Sequence, residues 1–193
     1  MTEDYRARML DLMSKALANE EAWLHVELLE RRKHLPSLKS VRQFEERWIQ
    51  YLTVKQSLCD RESLTVETET EGRCDFVLRD YALGRILAVF EMKGPFHVGA
   101  GEPIDVRFAD IAKDCRKLAE NEKLGRVPRC VVLLPYGHKE EVNEWLDKLR
   151  GYLQDVDGSG YTVSPLRLND LGDRGTTMMI TVFEVSPHGN KAF

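Results

Sequence analysis

Apolar positions along the chain switch period, and each switch marks a change of element. Met9, Leu12, Met13, Ala16 and Leu17 recur at helical spacing and predict a first helix. Asn19 followed by Glu20 and Glu21 reads as a second N-cap with an acidic first turn. Trp23, Leu24, Leu28 and Leu29 extend that helix until Arg31, Arg32, Lys33, His34 and Pro36 end it. Ser40 and Gln43 form a capping box that opens a third helix, whose apolar stripe is Val41, Phe44, Trp48, Ile49 and Leu52. The period then falls from 3.6 to 2. Residues 64–70 alternate, Glu71-Gly72 supplies a turn, and residues 73–79 and 86–93 predict two further strands. A loop rich in glycine and proline follows, with Gly94, Pro95, Gly99, Gly101 and Pro103. Beyond it the pattern predicts a helix over 108–124, a buried strand over 129–134, a helix over 139–153 and strands over 161–168 and 177–185.

This order predicts an α/β fold in which three sequential antiparallel strands are followed by a helix and a further strand, a mixed sheet flanked by helices. Residues 1–39 read as an N-terminal helical extension and residues 40–193 as the main domain, with its core over about 40–135. The amphipathic N-terminal helices, with Trp23, suit either a homodimer interface or packing onto the protomer's own sheet.

Composition narrows the class. The 193 residues are 42% apolar and 31% charged, which favours a packed core over disorder. The longest apolar runs are five residues each, 86–90 and 130–134, far short of a membrane span. The first residues, Met-Thr-Glu-Asp-Tyr-Arg, lack the basic and apolar pattern of a secretory signal. Cys59, Cys74, Cys115 and Cys130 stand singly, with neither a zinc spacing nor a disulfide framework, and the expected compartment is cytoplasmic.

The chemistry concentrates where two strands should pair. If residues 73–79 and 86–93 form a hairpin with Arg79 opposite Leu87, Asp75 lies opposite Glu91 on the same face. Lys93, two residues further, shares that face. Two opposed, half-buried carboxylates repel and lose hydration, and a hard divalent cation relieves both costs. The plain alternative is that Glu91 and Lys93 make a surface ion pair worth under about 1 kcal/mol. Against it stands the run Ile86-Leu87-Ala88-Val89-Phe90, which marks the strand as central and leaves its charged end needing an explanation.

Cys74-Asp75-Phe76, followed by Glu91-Met92-Lys93 on the next strand, resembles the motif of the PD-(D/E)XK nucleases, with Cys74 where that motif has proline. The resemblance implies a restriction-endonuclease-like core ordered α-β-β-β-α-β, and a hydrolase cutting phosphodiester bonds, with DNA the preferred substrate and RNA left open, as an endonuclease or exonuclease. It implies Mg²⁺, with Mn²⁺ as a substitute, held by Asp75, Glu91 and the backbone carbonyl of Met92. Lys93 would orient or help deprotonate the attacking water and offset charge developing on the phosphate. An acidic residue from the first core helix often completes such sites; Glu45 shares the stripe of Val41, Ile49 and Leu52 and is preferred to Glu46. A non-catalytic domain of the same fold, binding nucleic acid or protein, is the alternative.

Other signals are weaker. Lys113, Arg116 and Lys117 would meet nucleic-acid phosphates from one helix, or simply form a solvated face balanced by Asp110, Asp114, Glu120 and Glu122. Arg31, Arg32, Lys33 and His34 suit a phosphate backbone as well as a helix C-terminus. His97 and His138 read as incidental. The loop over 94–101 lacks the spacing of a phosphate-binding loop and suits a flap over substrate. Ser63, Ser159 and Ser164 lack a nucleophile-elbow context.

The net charge of −4 opposes nucleic-acid binding only as a chain total; the field at the binding face is what a phosphate backbone meets. DNA affinity should therefore be weak and strongly salt-dependent in EDTA and rise on adding Mg²⁺. A filter-binding titration with and without the ion checks this, and tight binding in EDTA contradicts it.

Overall fold

The residues from Arg129 to Gly137 are all buried, so this segment must run through the middle of the molecule with both faces covered. In the computed structural model, which describes residues 4–18, 39–60, 64–68, 74–98, 104–155, 160–173 and 176–187, it is the central strand of a mixed sheet. In chain order the described elements are α1 (Tyr5–Ala18), α2 (Lys39–Cys59), β1 (Leu64–Thr68), β2 (Phe76–Asp80) and β3 (Arg85–His97). Then come α3 (Ile104–Ala119), a 3₁₀ turn (Glu122–Leu124), β4 (Arg129–His138), α4 (Lys139–Asp155), β5 (Tyr161–Val163), β6 (Arg167–Asp173) and β7 (Thr176–Pro187). The second predicted helix, with Trp23 and the basic run from Arg31 to His34, lies outside the described residues.

The sheet order is β1-β2-β3-β4-β7-β5, with β6 also paired to β7. Only β3 and β4 run parallel, joined by a crossover through α3; every other pairing is antiparallel. Alternation along β4 sorts the core into two layers. Cys130, Val132, Leu134 and Tyr136 pack with α1 and α2 on one face; Val131 and Leu133 pack with α3 and α4 on the other. The helix α1 buries Met9, Leu10, Leu12, Met13, Ala16 and Leu17 in the first layer, against α2 and β7 of its own chain.

Two connections depart from the sequence expectation. The Gly94-Pro95 step, read above as the start of a loop, lies inside β3, which runs on to His97. There the β3–β4 register shifts between Lys93 and Phe96, and the one extra residue of β3 is absorbed as a bulge. Gly94 has φ +112°, and a Cβ on it would come within 3.0–3.1 Å of Phe96 and Leu134, so a glycine is needed. Of the proposed flap, residues 94–97 are therefore strand, and 99–101 lie outside the described residues. The expected strand over 161–168 is two strands, because Pro165 has no N–H to give to a ladder. Ser164 bridges the break: its N–H donates to the Glu184 carbonyl at 2.9 Å, and its hydroxyl accepts from the Glu184 N–H at 2.8 Å.

The return from α3 to β4 is held by one buried side chain. The Arg129 guanidinium donates to the carbonyls of Ala119 (2.8 Å), Asn121 (3.2 Å) and Gly125 (2.8 Å), satisfying the end of α3 and the turn after it. That anchor sets where α3 lies over β3, and hence what faces the charged end of that strand. Among the described residues no helix is long and apolar enough to cross a membrane.

Candidate metal centre

The pairing of β2 with β3 places the site. Phe76 faces Phe90, Val77 faces Val89 and Leu78 faces Ala88, the register expected from the sequence; continued by one residue it sets Asp75 across from Glu91. Beyond Leu78 a bulge shifts the pairing, so Arg79 faces Ile86 and not Leu87. The irregularity falls at the far end of the hairpin and leaves the carboxylate end in register.

Alternation along β3 then separates its charged residues from their neighbours. Met92 is buried in the layer of α1 and α2, so Glu91 and Lys93 point to the opposite face, beneath α3. Asp75 sits at the mouth between the layers and is held by both oxygens. Its Oδ2 accepts the Met92 N–H at 2.7 Å, and its Oδ1 accepts Nε2 of Gln50, on α2, at 3.0 Å. From above, α3 supplies two groups one turn apart. Asp114 Oδ2 lies 2.7 Å from Lys93 Nζ, and Lys117 Nζ lies 3.6 Å from Glu91 Oε1. The Glu91 and Asp114 side chains are only 12% and 14% exposed, against 58% for Lys117.

Burial dominates the electrostatics of this cluster. It raises the proton affinity of Glu91 to about 7, with the Asp75 charge adding to the shift and Lys117 opposing it. Asp75 is also raised by burial, with the Met92 N–H pulling it back. For Lys93 burial acts downward, but the hydrogen bond and charge of Asp114, with Glu91 and Glu46, outweigh it, and its net shift is upward. Cys74, beside the site, is pushed up to about 11 by burial and then by the Glu91 charge, so its thiol stays protonated.

Of the expected residues, Asp75, Glu91, Lys93 and Lys117 are thus brought together, and the Met92 backbone is part of the same cluster. Lys113 and Arg116 are exposed on α3, outside these contacts. The side chain of Glu45 lies outside the described residues. Glu46 is half-buried, its charge acts on Lys93, and it sits one turn from Gln50 on the same helix face. His97 stacks edge-on against Tyr136 with ring centroids 5.2 Å apart, in the bulged end of β3. Sequence reasoning missed Gln50 and Asp114. A search for acids and bases passes over a neutral amide, although a glutamine beside Ile49 on an apolar stripe was a detectable signal. Asp114 was counted as one of several acids balancing a basic helix.

Among the described residues no group of three or more His, Cys, Asp and Glu side chains is set to hold a metal ion. Two carboxylates are present, and Mg²⁺ is commonly held by one or two carboxylates with water or phosphate filling the rest of its shell. Hard oxygen donors raised in proton affinity by burial, Glu91 further by the Asp75 charge, fit that ion. The residues that would hold it are Asp75 and Glu91.

An acid whose proton affinity rises on folding opposes folding once ionised. For Glu91 that cost is absent below its ordinary value of 4.5, grows as the pH rises, and is complete above about 7. Glu91→Gln should thus raise Tm by roughly 5 °C near pH 8, equivalent to about 2 kcal/mol, and leave Tm unchanged near pH 4. Thermal unfolding of both proteins across that range in EDTA checks the sign.

No family model matches the chain, and no curated protein or solved structure matches it, so the site is read from its own geometry.

Proposed function

We propose that the chain is a divalent-metal-dependent nuclease that hydrolyses phosphodiester bonds in DNA, built on a restriction-endonuclease-like core. The observation that carries this reading is the juxtaposition of Asp75 and Glu91 across the β2–β3 pair, with Lys93 on the Glu91 face. The order of α2, three antiparallel strands, the α3 crossover and parallel β4 supports the architecture.

In this reading Asp75 and Glu91 hold Mg²⁺ or Mn²⁺, and the Met92 carbonyl joins them. The bound ion supplies a Lewis acid for the phosphate and lowers the pKa of a coordinated water. The Met92 N–H and the Gln50 amide fix the Asp75 carboxylate, so it meets a ligand without reorganising. Lys93 is favoured in its charged form by the Asp114 carboxylate 2.7 Å away. Its role is electrostatic: it offsets the negative charge that builds on the phosphate as the water attacks. Asp114 keeps the ammonium in place. Among the described side chains of α2, the acid able to assist is Glu46, whose charge reaches Lys93.

One observation favours a second reading, a non-catalytic domain that binds nucleic acid or protein. Lys93 is already paired with Asp114 and Glu91 with Lys117, so two of the three site carboxylates are matched without any ion.

Cleavage of supercoiled plasmid with Mg²⁺ or Mn²⁺ separates the two. The nuclease reading predicts nicking by the parent chain, falling about 100-fold or more in Asp75→Asn, Glu91→Gln and Lys93→Ala. Absence of cleavage by the parent, or equal cleavage by Glu91→Gln, supports the binding domain instead.

A further inference from the structure

The two ion pairs that α3 makes over β3 are unequal. Lys93 and Asp114 lie 2.7 Å apart with side chains 29% and 14% exposed, a short and largely buried contact. Lys117 and Glu91 lie 3.6 Å apart, and Lys117 is 58% exposed. A solvated ammonium on a flexible four-carbon stem gains little from such a contact and leaves it at little cost. The Lys93–Asp114 contact is thus the fixed member of the quartet and Lys117–Glu91 the exchangeable one.

Lys117 also occupies the position of a cation. Its Nζ sits on Glu91 Oε1, one of the oxygens that a divalent ion between Asp75 and Glu91 would take. An ammonium and a dication within a few ångströms of each other repel strongly in a half-buried site. Lys117 therefore cannot hold this place when the ion is bound. Its neighbours on the exposed side of α3 are Lys113 and Arg116, one turn before it and adjacent to it, with the acids Asp110 and Glu120 further along the same helix.

We infer that Lys117 is an exchangeable cation of the site: it neutralises Glu91 when no divalent ion is present, and on ion binding turns outward with Lys113 and Arg116 to hold a phosphate of the substrate backbone. This rests on the nuclease reading of Asp75 and Glu91. It couples the two ligands: the ion frees the lysine that the nucleic acid then uses, so each promotes binding of the other. It also leaves the metal-free chain one cation short for DNA at this face, because Lys117 is spent on Glu91.

The test uses the full chain, calorimetric titration with Mn²⁺, and fluorescence anisotropy of a labelled phosphorothioate duplex that resists cleavage. Lys117→Gln shortens the side chain by one atom, keeps it polar and removes its charge. Mn²⁺ should bind this variant about 3- to 10-fold more tightly than the parent, because its competitor is gone. In saturating Mn²⁺ the duplex should bind the variant about 10-fold more weakly, and in EDTA the two proteins should differ much less. Mn²⁺ affinity that is unchanged or lower in the variant overturns the exchange. So does a loss of duplex affinity that is equal with and without the ion. A parent chain that binds Mn²⁺, with Glu91→Gln losing that binding, keeps the metal-site reading standing in either case; a parent that binds none overturns both.

Discussion

The antiparallel register of β2 and β3 is the constraint on which everything at the site depends. Three apolar pairs, Phe76 with Phe90, Val77 with Val89 and Leu78 with Ala88, are fully buried, and they hold the hairpin against slipping. A slip of one residue would turn each of these side chains to the other layer, with loss of packing on both faces. The same pairs, continued one step, force Asp75 and Glu91 across from each other. Apolar burial thus brings the Asp75 charge to bear on Glu91, a repulsion that electrostatics alone would avoid.

The neighbouring elements manage the resulting charge without removing it. Parallel β4 covers the flank of β3, and α3, anchored by Arg129, brings Asp114 and Lys117 over Lys93 and Glu91. On the other side, α2 brings Gln50 to Asp75. Even so, Glu91 keeps a proton affinity near neutrality, because burial and the Asp75 charge outweigh the nearby lysines. A fold under selection only for stability would replace one of these acids by an apolar or amide side chain.

The legible parts of the fold are those written in hydrophobic period. The buried run of β4, the helices α1, α3 and α4 and the alternation of β1 to β3 follow from spacing, and so does the register at the carboxylate end. What escaped depends on long-range partners. Gly94-Pro95 reads locally as a loop, yet the strand continues through it because β4 lies alongside to accept a bulge. The break at Pro165 was visible as a residue but not as a division into β5 and β6, since only the common partner β7 shows that both belong to one sheet. Gln50 and Asp114 gain meaning only once α2 and α3 are placed on opposite sides of β3. Of the site, Asp75, Glu91, Lys93 and Lys117 were readable in the sequence, and the helix-borne supports Gln50 and Asp114 were not.

The account stands on Asp75 and Glu91 sharing one divalent ion. A crystal soaked in Mn²⁺, with anomalous scattering recorded, tests this most directly. The predicted result is an ion between the two carboxylates, with oxygen ligands at about 2.1 Å and the Lys117 ammonium moved off Glu91. A map with Lys117 still seated on Glu91 and no ion between Asp75 and Glu91 would contradict it.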